Sequence, residues 1–209
     1  MAGIRCREER SLILAVCLLC LVSIVSLDAI RFSLSPADIE RALLIARERE
    51  AERVRFHAPY IHNVNTATVQ SIEIISEFRR VVLLAEEHIL RGDRGFAYST
   101  RIAGDAVKAW KGRVSVVARL RFHPMNTYVA LPTIEMALDG PNAEEALVGV
   151  LKDPQYAFVG KPGEQAAITG AVAEGVFDAA LVGQTERTVT VKLDGKTLLA
   201  ARLDFRTVE

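Results

Sequence analysis

The side chains best suited to chemistry here are four histidines: His57, His62, His88 and His123. An imidazole can give or take a proton near neutral pH, or bind a metal. His57 and His62 lie five apart across Pro59, so they miss the i,i+4 spacing of a helical zinc pair, and no His-Glu-x-x-His run occurs. A metal centre would have to be assembled from distant segments, for instance around Glu86, Glu87 and His88, and spacing gives it no support. No metal and no cofactor is expected. No serine sits in a Gly-x-Ser-x-Gly elbow. Gly160-Lys-Pro-Gly163 lacks both the length and the trailing hydroxyl of a phosphate loop. The adjacent carboxylates Glu86-Glu87 and Glu144-Glu145 point to different faces of any helix or strand, which makes them poor acid–base partners by themselves. Arg91-Gly92-Asp93 spells an integrin-recognition tripeptide, but three residues recur by chance and a turn explains them.

Three polar clusters stand apart from these fragments: Glu77-Phe-Arg-Arg80, Glu86-Glu-His88 and Phe122-His-Pro-Met-Asn-Thr-Tyr128. They supply a candidate ligand-binding rim of Arg80, Glu87, His88, His123, Asn126 and Tyr128. In it His123 and Asn126 offer hydrogen bonds and Tyr128 an apolar wall. For Arg80 the competing expectation is a structural ion pair with a glutamate, the usual way a half-buried guanidinium is satisfied.

All three cysteines, Cys6, Cys17 and Cys20, fall in the opening segment. Cys17-Leu-Leu-Cys20 has Cys-x-x-Cys spacing but lies inside the uncharged run 11–27, where the thiolate needed for redox or metal work would be badly destabilised. These cysteines read as apolar filler. The run sits at the short end of the roughly 17–25 residues that span a bilayer. Arg5, Arg7 and Arg10 precede it, so the N-terminus is expected in the cytoplasm and the body outside. Neither Ala29 nor Ser26 makes a good cleavage site, because Leu27 or Ile24 would stand at −3. An uncleaved signal anchor is favoured over a cleaved signal peptide. The chain then divides into a cytoplasmic region 1–10, the membrane segment 11–27, a charged helix and connector 28–65, and an extracytoplasmic domain 66–209, with the bacterial periplasm as the expected location. The lipid bilayer is the one partner named, through residues 11–27.

The 209 residues carry 26 Lys+Arg against 26 Asp+Glu, so no basic surplus points to nucleic acid. Half the chain is hydrophobic, which excludes disorder and allows one proper core. Ser35-Pro-Ala-Asp38 opens a helix by capping and is expected to run to about Val54. Its second half, Arg47 to Arg55, sets like charges at i,i+4 and gains little from local pairing. Pro59 ends it. Val114–Phe122 alternates as a half-buried strand, with Val114, Val116, Ala118, Leu120 and Phe122 on the core face. Tyr128–Leu138 alternates too, and Pro132, which interrupts it, sends it to a sheet edge or a bulge. Short strands are expected near 167–173 and 176–182, and short helices or turns near 141–152 and 100–110.

Residues 76–90 admit two readings. Phe78, Val81, Val82, Ala85 and Ile89 fit a helix, but Arg79-Arg80 and Glu86-Glu87 oppose its dipole, and Ile72–Leu84 is rich in strand formers. The strand is preferred. At the C-terminus, a two-residue Asp194-Gly195 turn would pair Leu193 with Lys196. That splits Val189 and Val191 from Leu199, Ala201 and Leu203 across two faces. A three-residue bulged turn, pairing Val189 with Leu199, keeps them together and is predicted. The fold class that follows is mainly β, with α+β as the alternative: an antiparallel sandwich that resembles the immunoglobulin-like architecture without its Cys…Trp…Cys signature. With no catalytic motif, a non-catalytic binding or interaction module is the expected function. A small hydrolase with a His/Glu site assembled by the fold, and a structural part of an envelope assembly, are the alternatives.

Overall fold

The computed structural model describes residues 33–126, 128–157 and 167–206. The membrane segment 11–27, its flanking arginines, all three cysteines and Gly160–Gly163 lie outside them. Among the described residues no helix is long and apolar enough to cross a membrane.

The body is mixed and sheet-rich, with two antiparallel sheets. The larger has the order β1-β2-β3-β6-β5, built from β1 (Ile61–Asn63), β2 (Val69–Ile75), β3 (Arg113–Arg121), β5 (Leu147–Tyr156) and β6 (Ile168–Asp178). The smaller has the order β4-β7-β8, from β4 (Ile134–Leu138), β7 (Glu186–Leu193) and β8 (Lys196–Asp204). One face of the larger sheet packs on the smaller through Ile72, Ile74, Val116, Leu120 and Phe177 against Met136, Val191 and Leu203. The sheets come close at Gly175, where an added Cβ would lie 3.3 Å from that of Met136. The opposite face is covered by helices with a core of their own. They are α1 (Pro36–Ala46), α2 (Glu50–His57), α3 (Glu77–Leu90), α4 (Arg94–Ala97) and α5 (Thr100–Val107). Leu43, Phe78, Val82, Ala103 and Val107 are buried together there. Gly104 lets α5 lie against Ile39 of α1. Four-residue helices α6 (Ala143–Ala146) and α7 (Ala179–Val182) link strands.

Several expectations hold. Ser35 accepts from the Asp38 amide while Asp38 reaches back to the Ser35 amide, a complete capping box. β3 buries Val114, Val116, Ala118 and Leu120, and β4 is an edge strand with every second residue inside. Others are corrected. The first helix does not reach Val54: it stops at Ala46, and Arg49 is extended at ψ 152° before α2 begins. The like-charge pairs across that span give nothing to bridge the break. Residues 77–90 are a helix, not a strand. Ser76 caps it by accepting from the Arg79 amide at 3.2 Å, and the arginines that oppose its dipole are met by carboxylates on other elements. β3 is not half-buried at its start, because the helices bury Ser115 and Val117 as well.

Of the range 141–152, expected as a short helix or turn, Ala143–Ala146 is a helix, but from Leu147 to Tyr156 the chain is an edge strand, which with one exposed face needs no apolar alternation. Pro154 is tolerated there for the same reason. The two short strands near 167–182 are one strand, β6, followed by α7, which Asp178 caps. In the hairpin Leu193 pairs directly with Lys196, so the bulged turn is wrong. Asp194 and Gly195 both take positive φ, the tight two-residue form. The apolar sets still share a face, because the register shifts past Leu198 and pairs Val191 with Leu199. The correcting extra residue sits in the strand instead of the turn.

Candidate functional site

A row of side chains crosses all five strands of the larger sheet under α3. Ile61 is paired with Glu73, Glu73 with Val117, Val117 with Glu174, and Glu174 with Leu151. Two carboxylates thus flank Val117 on a face the helices cover. The first turn of α3 sets two successive arginines over them. Arg79 turns toward β2 and is 1 % exposed. Its Nη2 donates to Glu73, its Nη1 to the Ile74 carbonyl, and its Nε to His57 Nδ1 at 3.2 Å. The guanidinium lies over the Tyr60 ring, 4.7 Å from its centre. Burial pushes the Arg79 pKa down, and the Glu73 carboxylate works against that shift. Arg80 turns the other way. It donates to Ser115 at 2.8 Å and Glu174 at 2.6 Å, and stacks 3.5 Å above the Trp110 ring.

The Arg79 side continues outward. Arg79 Nε can only donate, so His57 Nδ1 is the acceptor and the imidazole proton sits on Nε2. Nε2 then donates to Glu86, which lies 3.1 and 3.2 Å away through its two oxygens. Arg79 and Glu86 are seven residues apart, two helical turns on one face of α3. Glu86 also meets Arg53 Nη1 at 3.4 Å, and Glu73 meets Arg119 at 3.5 Å. A continuous chain results: Arg119, Glu73, Arg79, His57, Glu86, Arg53. It holds three guanidinium cations against two carboxylates, and a cation stands at each end.

The six rim residues divide into separate places. Arg80 is an ion pair with Glu174, as just described. Glu87 bonds Arg91 one turn on, at the surface. His88 binds Asp93 at 2.8 Å and stacks on Phe96 at 4.2 Å, and that bond is the main reason the Asp93 carboxyl falls below its ordinary pKa. His123, Asn126 and Tyr128 tie a turn beyond β3. The Met125 amide donates to His123 Nδ1 at 3.1 Å. Asn126 Nδ2 donates to the His123 and Ile168 carbonyls, while its Oδ1 accepts from the Tyr128 amide. Tyr128 packs edge-on against Phe122. None of these contacts joins the α3 residues to the turn residues. His88 and His123 each take their own local partner, with no carboxylate shared between them. Among the described residues no group of His, Cys, Asp and Glu could hold a metal ion.

Sequence reasoning missed Glu73, Arg79 and Arg53 as members of one array. The signal was there once helix is assigned: Arg79 and Glu86 share a face only at helical spacing. Two concavities lie beside the end of the array, at the break between α1 and α2, and a third lies on the smaller sheet among Asp139, Glu186, Arg187, Thr188 and Arg202. A cleft of about 340 Å³ is walled by Arg47, Arg53 and Tyr98 over Ala46, Ile89 and Leu90, with Glu48 at its mouth. A shallower depression of about 540 Å³ on the other side of the break is bounded by Ile45, Glu48, Glu52, Arg55 and Phe56. Arg47 closes the C-terminal end of α1 by donating Nε to the Leu43 carbonyl at 3.0 Å, and its guanidinium lies 4.5 Å from the centre of the Tyr98 ring. In comparisons with known proteins, no family model, no curated protein and no solved structure matches this chain.

Proposed function

We propose that the chain is a membrane-tethered extracytoplasmic module that binds its ligand without transforming it. The observation that carries this reading is how the reactive groups are used. His57, Glu73, Arg79 and Glu86 are taken up in holding α2 and α3 onto the sheet, whereas the open clefts beside them present arginine, tyrosine, phenylalanine and aliphatic side chains with the glutamates Glu48 and Glu52. Such linings recognise and hold; they offer no nucleophile with an adjacent base. The uncharged run 11–27 behind Arg5, Arg7 and Arg10 supplies the tether. α1 begins at Pro36, shortly after that run, so the helical layer is the part of the body nearest the bilayer in this reading. The packed sheets, immunoglobulin-like in architecture only, act as its rigid support.

Fractionation tests the address. The full-length chain should stay with membranes through a carbonate wash, and protease added outside sealed spheroplasts should digest the body. An intact chain in the soluble fraction, or a body shielded from external protease, overturns the tether.

A further inference from the structure

We infer that the cleft at the α1–α2 break is a binding site for an anion carrying an apolar arm: a phosphate or carboxylate head on an acyl or alkyl chain. This deepens the proposal that the body binds its ligand and rests on that part of it, not on the tether.

The cleft exists because α1 stops early. Ala46 ends the helix and α2 starts again only at Glu50, while α3 runs on past them to Leu90. At the end of α3, Leu90 is 82 % exposed, and Tyr98, which lines the same cleft, is 67 % exposed. Exposed bulky groups lining one concavity together with Ala46 and Ile89 favour an apolar occupant. The volume of about 340 Å³ lies in the range of small-ligand sites.

The polar groups select the charge. Arg47 and Arg53 stand in the wall, and Glu48 is the one acid that joins them. Arg53 is incompletely used. Its Nη1 reaches Glu86 only at 3.4 Å, on an oxygen that His57 Nε2 also approaches at 3.2 Å, and among the described residues the buried Arg53 Nε has no hydrogen-bond partner. A guanidinium has five donors, and an under-satisfied one beside a cleft calls for an acceptor. The array behind it adds to this, since its three cations outnumber its two carboxylates. Arg47 lies over Tyr98 with its Nε on a carbonyl, so it is already oriented. The depression on the other side of the break has the opposite character: Glu48 and Glu52 line it, and its Arg55 is paired to Glu52 at 2.8 Å.

The test uses the full chain in nanodiscs of phosphatidylcholine and titration calorimetry with octyl phosphate. Octanol, which lacks the charge, and inorganic phosphate, which lacks the arm, are the controls. Octyl phosphate should bind at least about tenfold tighter than either, one charge-assisted hydrogen bond being worth that much. Leu90 is exposed enough to change without harm to the fold. Leu90→Glu at the rim should bind octyl phosphate about tenfold more weakly than Leu90→Lys, the two variants losing the same apolar contact and differing in charge. Arg53→Gln should weaken it by a similar factor. Equal binding of octanol and octyl phosphate, or equal binding by Leu90→Glu and Leu90→Lys, overturns the anion site. Replacing part of the phosphatidylcholine by phosphatidylglycerol separates the sources. Suppressed titration supports the site as a reader of the chain's own bilayer headgroups, and unchanged titration supports it as a receptor for a free anion. Release of inorganic phosphate during the titration would instead sink the non-catalytic reading, whatever the affinity.

Discussion

Replacing Arg79 by methionine keeps an unbranched side chain of similar length and removes the guanidinium. Three acceptors then lose a donor: the Ile74 carbonyl, His57 Nδ1 and one oxygen of Glu73. Each buried acceptor left unpaired costs about 1–3 kcal/mol, and the carboxylate keeps part of its compensation from Arg119 at 3.5 Å. The expected loss is about 4 kcal/mol, within the roughly 3–5 kcal/mol seen when one member of a buried pair is removed. Methionine fills much of the space, so little of this is cavity. Glu73→Leu alone should cost a similar amount, because it leaves the Arg79 guanidinium, 1 % exposed, without its carboxylate, although Arg119, 52 % exposed, reaches water. In the double variant the stranded carboxylate no longer exists. The pair should therefore show a coupling of about 2 kcal/mol in a double-mutant cycle. The assay is urea unfolding of the full chain in mild detergent, followed by circular dichroism. A loss under about 1 kcal/mol for Arg79→Met, with coupling below about 0.5 kcal/mol, would refute the claim that this pair fixes α3 to β2.

Glu77 gives a pH dependence of known sign. Burial holds its carboxyl above the ordinary value near 4.5, against the pull of the Gly112 amide at 3.4 Å and of Lys111. An acid raised in the folded state contributes stability that is full below its unfolded pKa and lost as pH climbs through the folded one. The stability of Glu77→Gln relative to the native chain should therefore rise from pH 4 upward, and a flat difference across urea midpoints would contradict it. Ser35→Ala removes the capping box of α1 and should lower stability by about 1 kcal/mol, read from the same midpoints. Gly170→Ala would drive a methyl into the Leu120 carbonyl of the neighbouring strand, and should cost about 2–3 kcal/mol or more by overpacking. An unchanged midpoint for that variant would mean β3 and β6 are farther apart than their register implies.

The elements that could be read from sequence were those whose signal is local. Ser35 and Asp38 satisfy each other within one turn, and the Val114–Leu120 alternation faces one core, so neither needs knowledge of the rest of the chain. Residues 76–90 failed because the objection to a helix was itself local. Arg79 and Arg80 are unfavourable at a helix N-terminus only while unpaired, and their partners Glu73 and Glu174 lie on β2 and β6. The hairpin failed in a different way. The demand that Val191 and Leu199 share a face was right, but a turn of three residues and a turn of two with a bulge at Leu198 meet it equally well. Alternation cannot choose between them. The rim grouped residues by polarity along the chain, and the three of its members that sit on one helix each take a different partner, Glu174, Arg91 and Asp93. The α1–α2 cleft depends on where a helix ends, which charge patterns hint at and do not fix.

The placement of Arg79 and Arg80 also explains why a helix with a charged first turn can be a fixed part of this body. The two residues point to opposite sides of Val117, one to Glu73 and one to Glu174, and those carboxylates belong to the strands on either side of β3. Rotating α3 about its axis would release both pairs at once, and sliding it by a residue would set a guanidinium over Val117. A one-residue slip of β2 would be worse, since it would turn Glu73 into the apolar core that Ile72 and Ile74 now fill. Hydrophobic burial favours any arrangement that hides Phe78, Val81 and Val82, and so tolerates many orientations of the helix. The ion pairs tolerate one. That orientation puts Glu86 two turns on within reach of His57 and Arg53, and so sets the wall of the cleft.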